Sequence, residues 1–337
     1  MTTLLAGDIG GTKTLLALYR LSAQPQPGAS GSGLSLIRSS RYDSAAWDDL
    51  APMVNHFLGE EGSPEVEAAC FAVAGPVQEG SAQLTNLSWQ LSESALARSC
   101  SIPAVELIND FAVLIYGLPH LSASQQAPIR SGQARAGEPH LVLGAGTGLG
   151  VAFGLPTSTG MVAVASEAAH GEFAPRSQAE WDLKQWLASD LGLERVSIER
   201  VVSGTGLGHV ARWLLQRHQL QGNHPLDGRL EDELPAAVAA AAASGDQLAC
   251  EALELWLGAY GSVCGDLALA GLSRGGLWLA GGTAAKLLGP LRSSTFSNAL
   301  LNKGRLRAVL EAMPVTAVLD PAVGQFSAAC RARMLLP

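Results

Sequence analysis

Leu4-Leu5-Ala6-Gly7-Asp8-Ile9-Gly10-Gly11-Thr12-Lys13-Thr14-Leu15-Leu16-Ala17-Leu18-Tyr19 is an apolar run, a polar glycine turn and a second apolar run. That is the signature of a β-hairpin. Neither of two common phosphate loops fits it. A P-loop needs a second glycine where Thr12 stands and a helix where this chain continues as a strand, and the spaced glycines of a dinucleotide-binding turn are absent. What remains is Asp-x-Gly-Gly-Thr-Lys at a hairpin tip. Gly10 and Gly11 let backbone N–H groups approach an anion, Thr12 and Lys13 can donate to it, and Asp8 can hold a cation through water. The plainer reading of the same residues is a glycine-rich turn.

Leu141 to Phe153 repeats the theme, with an apolar strand, the turn Gly144-Ala145-Gly146-Thr147-Gly148-Leu149-Gly150 and another apolar strand. Each glycine weakens a strand, so strand propensity does not account for this density. Two such hairpins, one opening each half of the chain, suggest an internally duplicated α/β architecture. Each half would present one cradle of backbone amides to a shared central cleft. Gly-Thr-Gly-Leu-Gly recurs at 204–208, but there it leads into an apolar helix pattern over Leu207–Gln219 and reads as the turn that starts that helix.

At 337 residues the chain exceeds the roughly 250–300 residues at which a single core stops growing, so two lobes are expected. A net charge of −8 argues against nucleic acid or an anionic membrane as partner. No run approaches the ~20 apolar residues of a membrane span. Met1-Thr2-Thr3-Leu4 lacks the positive region of a secretory signal. Cys70, Cys100, Cys250, Cys264 and Cys330 are odd in number and far apart, as expected of buried thiols in a reduced, cytoplasmic protein.

Glu106-Leu107-Ile108-Asn109-Asp110-Phe111 ends an apolar strand and begins an apolar helix. Asn and Asp are preferred helix N-caps, which is one reading. The other places Asp110 at the C-terminal end of a strand, where open α/β sheets bind ligands, as a carboxylate able to take a proton from a hydroxyl. Asn86, in Thr85-Asn86-Leu87-Ser88-Trp89, lines a cleft or forms a turn.

Further on, Glu167 and His170 stand three apart in Ser166-Glu167-Ala168-Ala169-His170-Gly171-Glu172-Phe173-Ala174-Pro175. That spacing suits metal ligation on a helix, but Gly171 and Pro175 deny a long helix and further ligands are missing. Hydrogen bonding to a polyol fits better, since Glu accepts from two hydroxyls and His both accepts and donates. Glu199 is a third candidate contact or a surface charge beside Arg200. Between and beyond these, the pattern predicts strands at 34–39, 68–74 and 314–319. It predicts helices at 47–58, after Ser92, and at 321–334. An Ala-rich helix at 236–243 and a capping box at Ser244–Gln247 precede a long helix with Trp256 and Tyr260 in its core face. Gly281-Gly282 follows a strand, and a side-chain-free surface there would accept a purine or ribose.

With these pieces in order, the chain resembles the bacterial glucokinases, the group of the hexokinase/actin/Hsp70 superfamily without a zinc-binding cysteine motif. The resemblance runs nearly end to end. It rests on D-I-G-G-T-K (8–13), T-N-x-x-W (85–89), I-N-D-F (108–111), G-A-G-T-G-L-G (144–150), E-A-A-H-G-E-F-A-P (167–175), E-R-V-V-S-G-T-G-L (199–207) and L-A-G-G-T (279–283).

The resemblance implies a two-lobed, ribonuclease-H-like duplicated fold of the actin/hexokinase type. The small lobe would be 1–118 plus 316–337 and the large lobe 119–315. It implies ATP-dependent phosphorylation of glucose at the 6-hydroxyl, with Mg²⁺, in the cytoplasm and in glycolysis, by a homodimer. Asp8, Gly10, Gly11, Thr12 and Lys13 then belong to the first phosphate turn and Gly146, Thr147 and Gly148 to the second, with Gly281 and Gly282 under the adenosine. Asn86, Asn109, Asp110, Glu167, His170 and Glu199 match sugar-contacting positions, Asp110 being the base. Ala168 and Ala169 depart from the family's Glu-Gly-Gly-His loop, and their methyls would resist any positive φ there. Alternatives are a kinase of the same fold for fructose, mannose or N-acetylglucosamine, a sugar-sensing regulator, and a filament or chaperone ATPase.

Overall fold

The computed structural model describes residues 2–22, 32–62, 64–84, 87–158 and 160–337. They form two compact units. Unit one comprises Met1–Gln126, Thr159–Ala165 and Asp320–Pro337, and unit two comprises Ala127–Ser158 and Ser166–Leu319.

Unit one is built on β1 (Thr3–Ile9), β2 (Lys13–Leu21), β3 (Leu34–Asp43) and β4 (Ala68–Val73). A meander of β5 (Val77–Gln78), β6 (Ser81–Gln83) and β7 (Gln90–Ser92) leads on to β8 (Ala104–Asn109). The main sheet has the order β3-β2-β1-β4-β8. β1 and β2 are the expected hairpin, antiparallel from Thr3↔Arg20 to Ile9↔Thr14, while β4 runs parallel to both β1 and β8. Every residue of β4 is buried, as its unbroken Ala-Ala-Cys-Phe-Ala-Val run requires of a strand covered on both faces.

One cover is α1 (Leu50–Glu60), whose Leu50, Met53, Val54 and Phe57 repeat at helical spacing and join Leu5, Ile9, Phe71 and Leu107 in a core. This helix starts three residues later than expected, because Asp49 adopts an extended backbone and caps Leu50 N. The second cover is the C-terminal helix Val323–Arg333, which packs on β1 and β4. Arg331 ties it to the sheet. Its guanidinium meets both carboxylate oxygens of Glu106 at 2.6 and 2.9 Å and lies over the ring of Tyr116. Such a forked pair fixes geometry as well as charge. Two further helices complete the unit, α2 (Glu93–Cys100), which begins after Ser92 as expected, and the short α3 (Leu114–Gly117).

The second sheet consists of β9 (Gln126–Arg130), β10 (His140–Ala145), β11 (Leu149–Thr157), β12 (Gly160–Ser166), β13 (Gly276–Ala280) and β14 (Val315–Val318), in the order β12-β11-β10-β13-β14-β9. β10 and β11 form an antiparallel hairpin, and β10 runs parallel to β13 and β13 to β14. Both sheets therefore share one plan. A hairpin's first strand also pairs in parallel with a later strand, which pairs in parallel with another. The duplication expected from the two glycine hairpins is real.

α4 (Gln178–Asp190), α5 (Gly204–Arg217), α6 (Leu234–Ala243), α7 (Gln247–Ala270) and α8 (Gly282–Lys286) belong to unit two. Trp256 and Tyr260 of α7 are fully buried, as expected. The indole Nε1 of Trp256 donates to Ser203 O at 2.9 Å, which relieves the cost of burying an N–H. The expected capping box at Ser244–Gln247 is corrected. Asp246 alone caps α7, accepting from Ala249 N at 2.8 Å, while Ser244 Oγ donates back to Ala240 O. The cap belongs to the residue directly before the first helical turn, where the backbone is still extended, and that residue is Asp246.

Candidate active site

In unit one the first glycine turn closes with Gly10 N donating to Lys13 O at 2.9 Å. Ser44, distant in sequence, holds its shape. Its backbone N donates to Thr12 O at 3.1 Å, its hydroxyl donates to Gly10 O at 2.9 Å, and Thr14 Oγ1 lies 3.0 Å from that hydroxyl. The turn is thus braced from behind, and the side chains of Thr12 and Lys13 remain exposed. Serine after a strand carries no functional signal in a sequence, so Ser44 was not among the candidates.

Asp8 leaves β1 on the face opposite Leu5 and Ile9 and lies against the first turn of the C-terminal helix. A side chain at Gly324 would come within 2.9 Å of Asp8 Oδ2. Burial pushes the Asp8 carboxyl above its ordinary value, because a low-dielectric setting disfavours the charged form. A group whose pKa is raised on folding contributes most below its unfolded value and loses that contribution as pH rises through the raised one. Asp8→Asn is therefore expected to raise the melting temperature at pH 7 by a few degrees. Thermal melts from pH 7 down toward pH 4 should show that advantage shrinking; an advantage that grows on acidification would contradict this account of Asp8.

At the end of β8 the Asn109 side chain is fully engaged. Its Oδ1 accepts from Phe111 N and Ala112 N, both at 3.0 Å. Its Nδ2 donates to Gly75 O at 3.2 Å and to Asp110 Oδ1 at 3.1 Å. Asp110 N donates to Val73 O at 3.0 Å, which fastens the backbone to the end of β4. Asn109 Oδ1 caps the turn at 110–113 that leads into α3, whose own N-cap position is Val113, and its amide donates to the Asp110 carboxylate at the strand end. Asn86, the remaining candidate from this half, lies outside the described residues.

In unit two the second turn closes with Gly146 N donating to Gly148 O at 2.8 Å. The repeat at 204–208 starts α5, as expected, with Ser203 Oγ accepting from Gly206 N. It is also fastened to the second turn, since Gly204 N donates to Gly146 O at 2.7 Å and Thr205 Oγ1 donates to Thr147 O at 2.9 Å. Beside these residues opens a cavity of about 300 Å³, lined by Gly146, Thr147, Gly204, Thr205, Leu207, Glu231, Asp232, Pro235, Ala236, Ala239, Gly282, Thr283, Lys286 and Leu287.

The structure thus brings the second glycine turn and Gly282 to one place. Gly281 adopts a φ of +84° ahead of α8, a conformation that glycine takes without strain. Thr283 Oγ1 bonds back to Ala145 O. The small side chains of Ala236 and Ala239 supply a flat apolar wall, and Glu231 and Asp232 add acceptors on the rim. Those two acids and the alanine face were not anticipated. An Ala-rich helix announces itself as a helix but not what its small face is for.

Glu167 and His170 flank a single 3₁₀ turn, Ala168–His170, with His170 Nε2 3.6 Å from Glu167 Oε2 and both side chains exposed. Neither Ala168 nor Ala169 has a positive φ, and Ala169 is buried in the core of unit two. The methyls that replace the family's glycines accordingly cause no backbone strain. The loop is held by its backbone: Arg195 Nη1 donates to His170 O at 2.7 Å, Ile198 N to Gly171 O at 2.8 Å and Phe173 N to Val196 O at 2.9 Å. His170 and Glu199 line one cavity of about 380 Å³ together with Ser197, Arg195 and Arg200. Glu199 Oε2 accepts from Leu149 N at 2.9 Å, so it is no mere surface partner of Arg200. Among the described residues no cluster of three or more His, Cys, Asp or Glu is placed to hold a metal ion.

These features can be set beside known proteins. A sequence profile of the family described as glucokinase matches residues 5–335. A glucokinase of Synechocystis is 43% identical over 351 aligned residues, which cover 96% of each chain. The crystal structure of a glucokinase from an Antarctic psychrotroph superimposes with a TM-score of 0.85 at 28% identity, over 99% of both chains. A glucokinase of the ROK family from Streptomyces griseus, solved in complex with glucose and AMPPNP, shares the fold with a TM-score of 0.64 at 19% identity, over 98% of this chain and 99% of the other. Its fold is the actin/hexokinase-type duplicated α/β fold, and by profile and full-length identity the chain belongs to the glucokinase family.

Proposed function

We propose that this chain transfers the γ-phosphoryl group of ATP–Mg²⁺ to the 6-hydroxyl of glucose, yielding glucose 6-phosphate and ADP. The observation that carries the chemistry is Asp110, a carboxylate at a strand end steadied by the amide of Asn109. In this reading Asp110 takes the proton of the sugar hydroxyl as that oxygen forms its bond to phosphorus and the bond from phosphorus to the ADP oxygen breaks. Little covalent work falls to the protein in such a transfer, and positioning and charge neutralisation dominate.

Magnesium arrives with the nucleotide as part of the substrate and neutralises phosphate charge there. The residues here suit that division, since Asp8 stands on β1 just before the first turn and would touch the ion through water. Gly10 N and Gly146 N are spent closing the turns, so the backbone amides of Gly11 and Thr12 and of Thr147 and Gly148 would donate to phosphate oxygens, with Lys13 beside the first. The cavity lined by Gly282, Ala236 and Ala239 would take the adenosine. Glu167, His170 and Glu199 would hold the sugar hydroxyls. A site of this kind rejects analogues lacking a bonded hydroxyl by up to about 10⁴–10⁵. The same reading takes the enzyme to be a cytoplasmic homodimer acting in glycolysis; among the described residues no helix is long and apolar enough to cross a membrane.

The test is a coupled ADP assay with ATP–Mg²⁺ across glucose, fructose, mannose and N-acetylglucosamine, read as kcat/KM. Glucose should lead. A higher value for another hexose would move the assignment to that sugar, and ADP release independent of every sugar would end the kinase reading.

A further inference from the structure

The carboxylate of Glu199 lies against the second glycine turn. Its Oε2 sits 2.9 Å from Leu149 N, a donor of the turn's outgoing arm. A side chain at Gly148 would come within 2.4 Å of that same oxygen. The Glu199 carboxylate thus lies directly over the Cα of Gly148, in space that a Cβ there would take. The placement is anchored from behind, where Ser203 Oγ donates to the backbone carbonyl of Glu199 at 2.8 Å. Ser203 itself caps α5, the helix whose first residues bond to Gly146 and Thr147. An anion thus rests where a cradle of amides would receive a phosphate, and two anions cannot share one donor set without repulsion.

We infer that Glu199 keeps the second turn closed to the phosphate chain of the donor until a sugar draws its carboxylate away. The inference rests on the glucokinase reading for the identity of the sugar. Sugar hydroxyls donate to carboxylates, so a bound sugar competes with Leu149 N for Glu199 and leaves that N–H and the face of Gly148 to the phosphate. Nucleotide binding would then follow sugar binding. By linkage, sugar must tighten the nucleotide by the same factor as nucleotide tightens the sugar. One benefit is direct, because ATP bound without sugar would expose its γ-phosphoryl group to water.

The experiment is calorimetric titration of Mg²⁺–AMPPNP into sugar-free wild type, Glu199→Ala and Glu199→Gln. Glutamine can still accept from Leu149 N but carries no charge, and alanine removes both the charge and the acceptor. The alanine variant should bind the analogue roughly 5–150-fold tighter than wild type, the usual span of such couplings, and glucose should no longer tighten it. The glutamine variant reports how much of that gain is charge. Unchanged or weaker binding by the alanine variant overturns the inference and makes Glu199 a brace of the turn. A variant that melts without cooperativity is replaced by wild type itself. Saturating glucose without nucleotide should shift the Leu149 amide resonance, and no shift overturns the inference equally.

The titration needs no turnover. Tighter binding by the variant in a protein that phosphorylates no hexose would sink the glucokinase reading and leave the role of Glu199 at the turn. Turnover of glucose without tighter binding would do the reverse.

Discussion

Asp110→Asn is expected to lower kcat by roughly 10²–10⁴, the usual worth of a general base, while glucose binding is largely retained. The substitution replaces one oxygen by an amide nitrogen of nearly the same size. The new side chain can still accept from Asn109 Nδ2, which now lies 3.1 Å from Oδ1, and the backbone bond to Val73 O is untouched. The negative charge and the capacity to take a proton are lost. Steady-state kinetics give kcat and calorimetry gives the sugar affinity, and together they separate loss of chemistry from loss of binding. A cooperative melt near that of the wild type secures the comparison. Turnover at the wild-type rate by the folded variant would remove Asp110 from the mechanism, and a parallel collapse of sugar affinity would make it a binding group instead of a base.

Much of this was legible in the sequence wherever the information is local. An apolar strand, a glycine turn and a second apolar strand define a hairpin within sixteen residues, and its recurrence at 141–153 exposed the duplication before any strand order was known. Asn109-Asp110 was visible as a cap or a base because caps and catalytic acids draw on the same residue types at strand-to-helix junctions. What stayed hidden depends on contacts between distant segments. Ser44 braces a turn more than thirty residues upstream, and nothing about the residue itself says so. Glu231 and Asp232 reach the cavity beside the second turn because the loop before α6 returns to it.

Gly148 was expected in a phosphate turn, and the anion that lies against it in the structure is the chain's own Glu199. The concern over Ala168 and Ala169 came from the family's pattern, and it dissolves once the backbone is seen in a single 3₁₀ turn with negative φ. Length implied two lobes, and the resemblance alone placed 316–337 with the first of them. That the last helix covers the first strand follows from packing, with Arg331 and Glu106 fixing the match.

Asn109→Asp separates the two duties of that residue. An aspartate caps a helix as well as an asparagine does, so the acceptors for Phe111 N and Ala112 N persist and any loss of stability should come from the other end of the side chain alone. The other end of the side chain changes sign. Where Nδ2 donates to Gly75 O and Asp110 Oδ1, the variant presents a carboxylate oxygen to two acceptors. Repulsion should push Asp110 off its position, and displacement near 1 Å is enough to cost on the order of 10² in rate. A second carboxylate at this range also makes Asp110 harder to ionise, since like charges disfavour the charged form. The acid limb of the kcat/KM profile should therefore move to higher pH, and part of the lost rate should return as pH rises. Asn109→Ala provides the contrast. It loses the cap, costing about 1 kcal/mol or somewhat more, yet adds no charge, so its acid limb should stay near that of the wild type. If Asn109→Asp instead loses stability while keeping rate and pH profile, Asn109 serves the helix alone and the carboxylate beside it needs no brace.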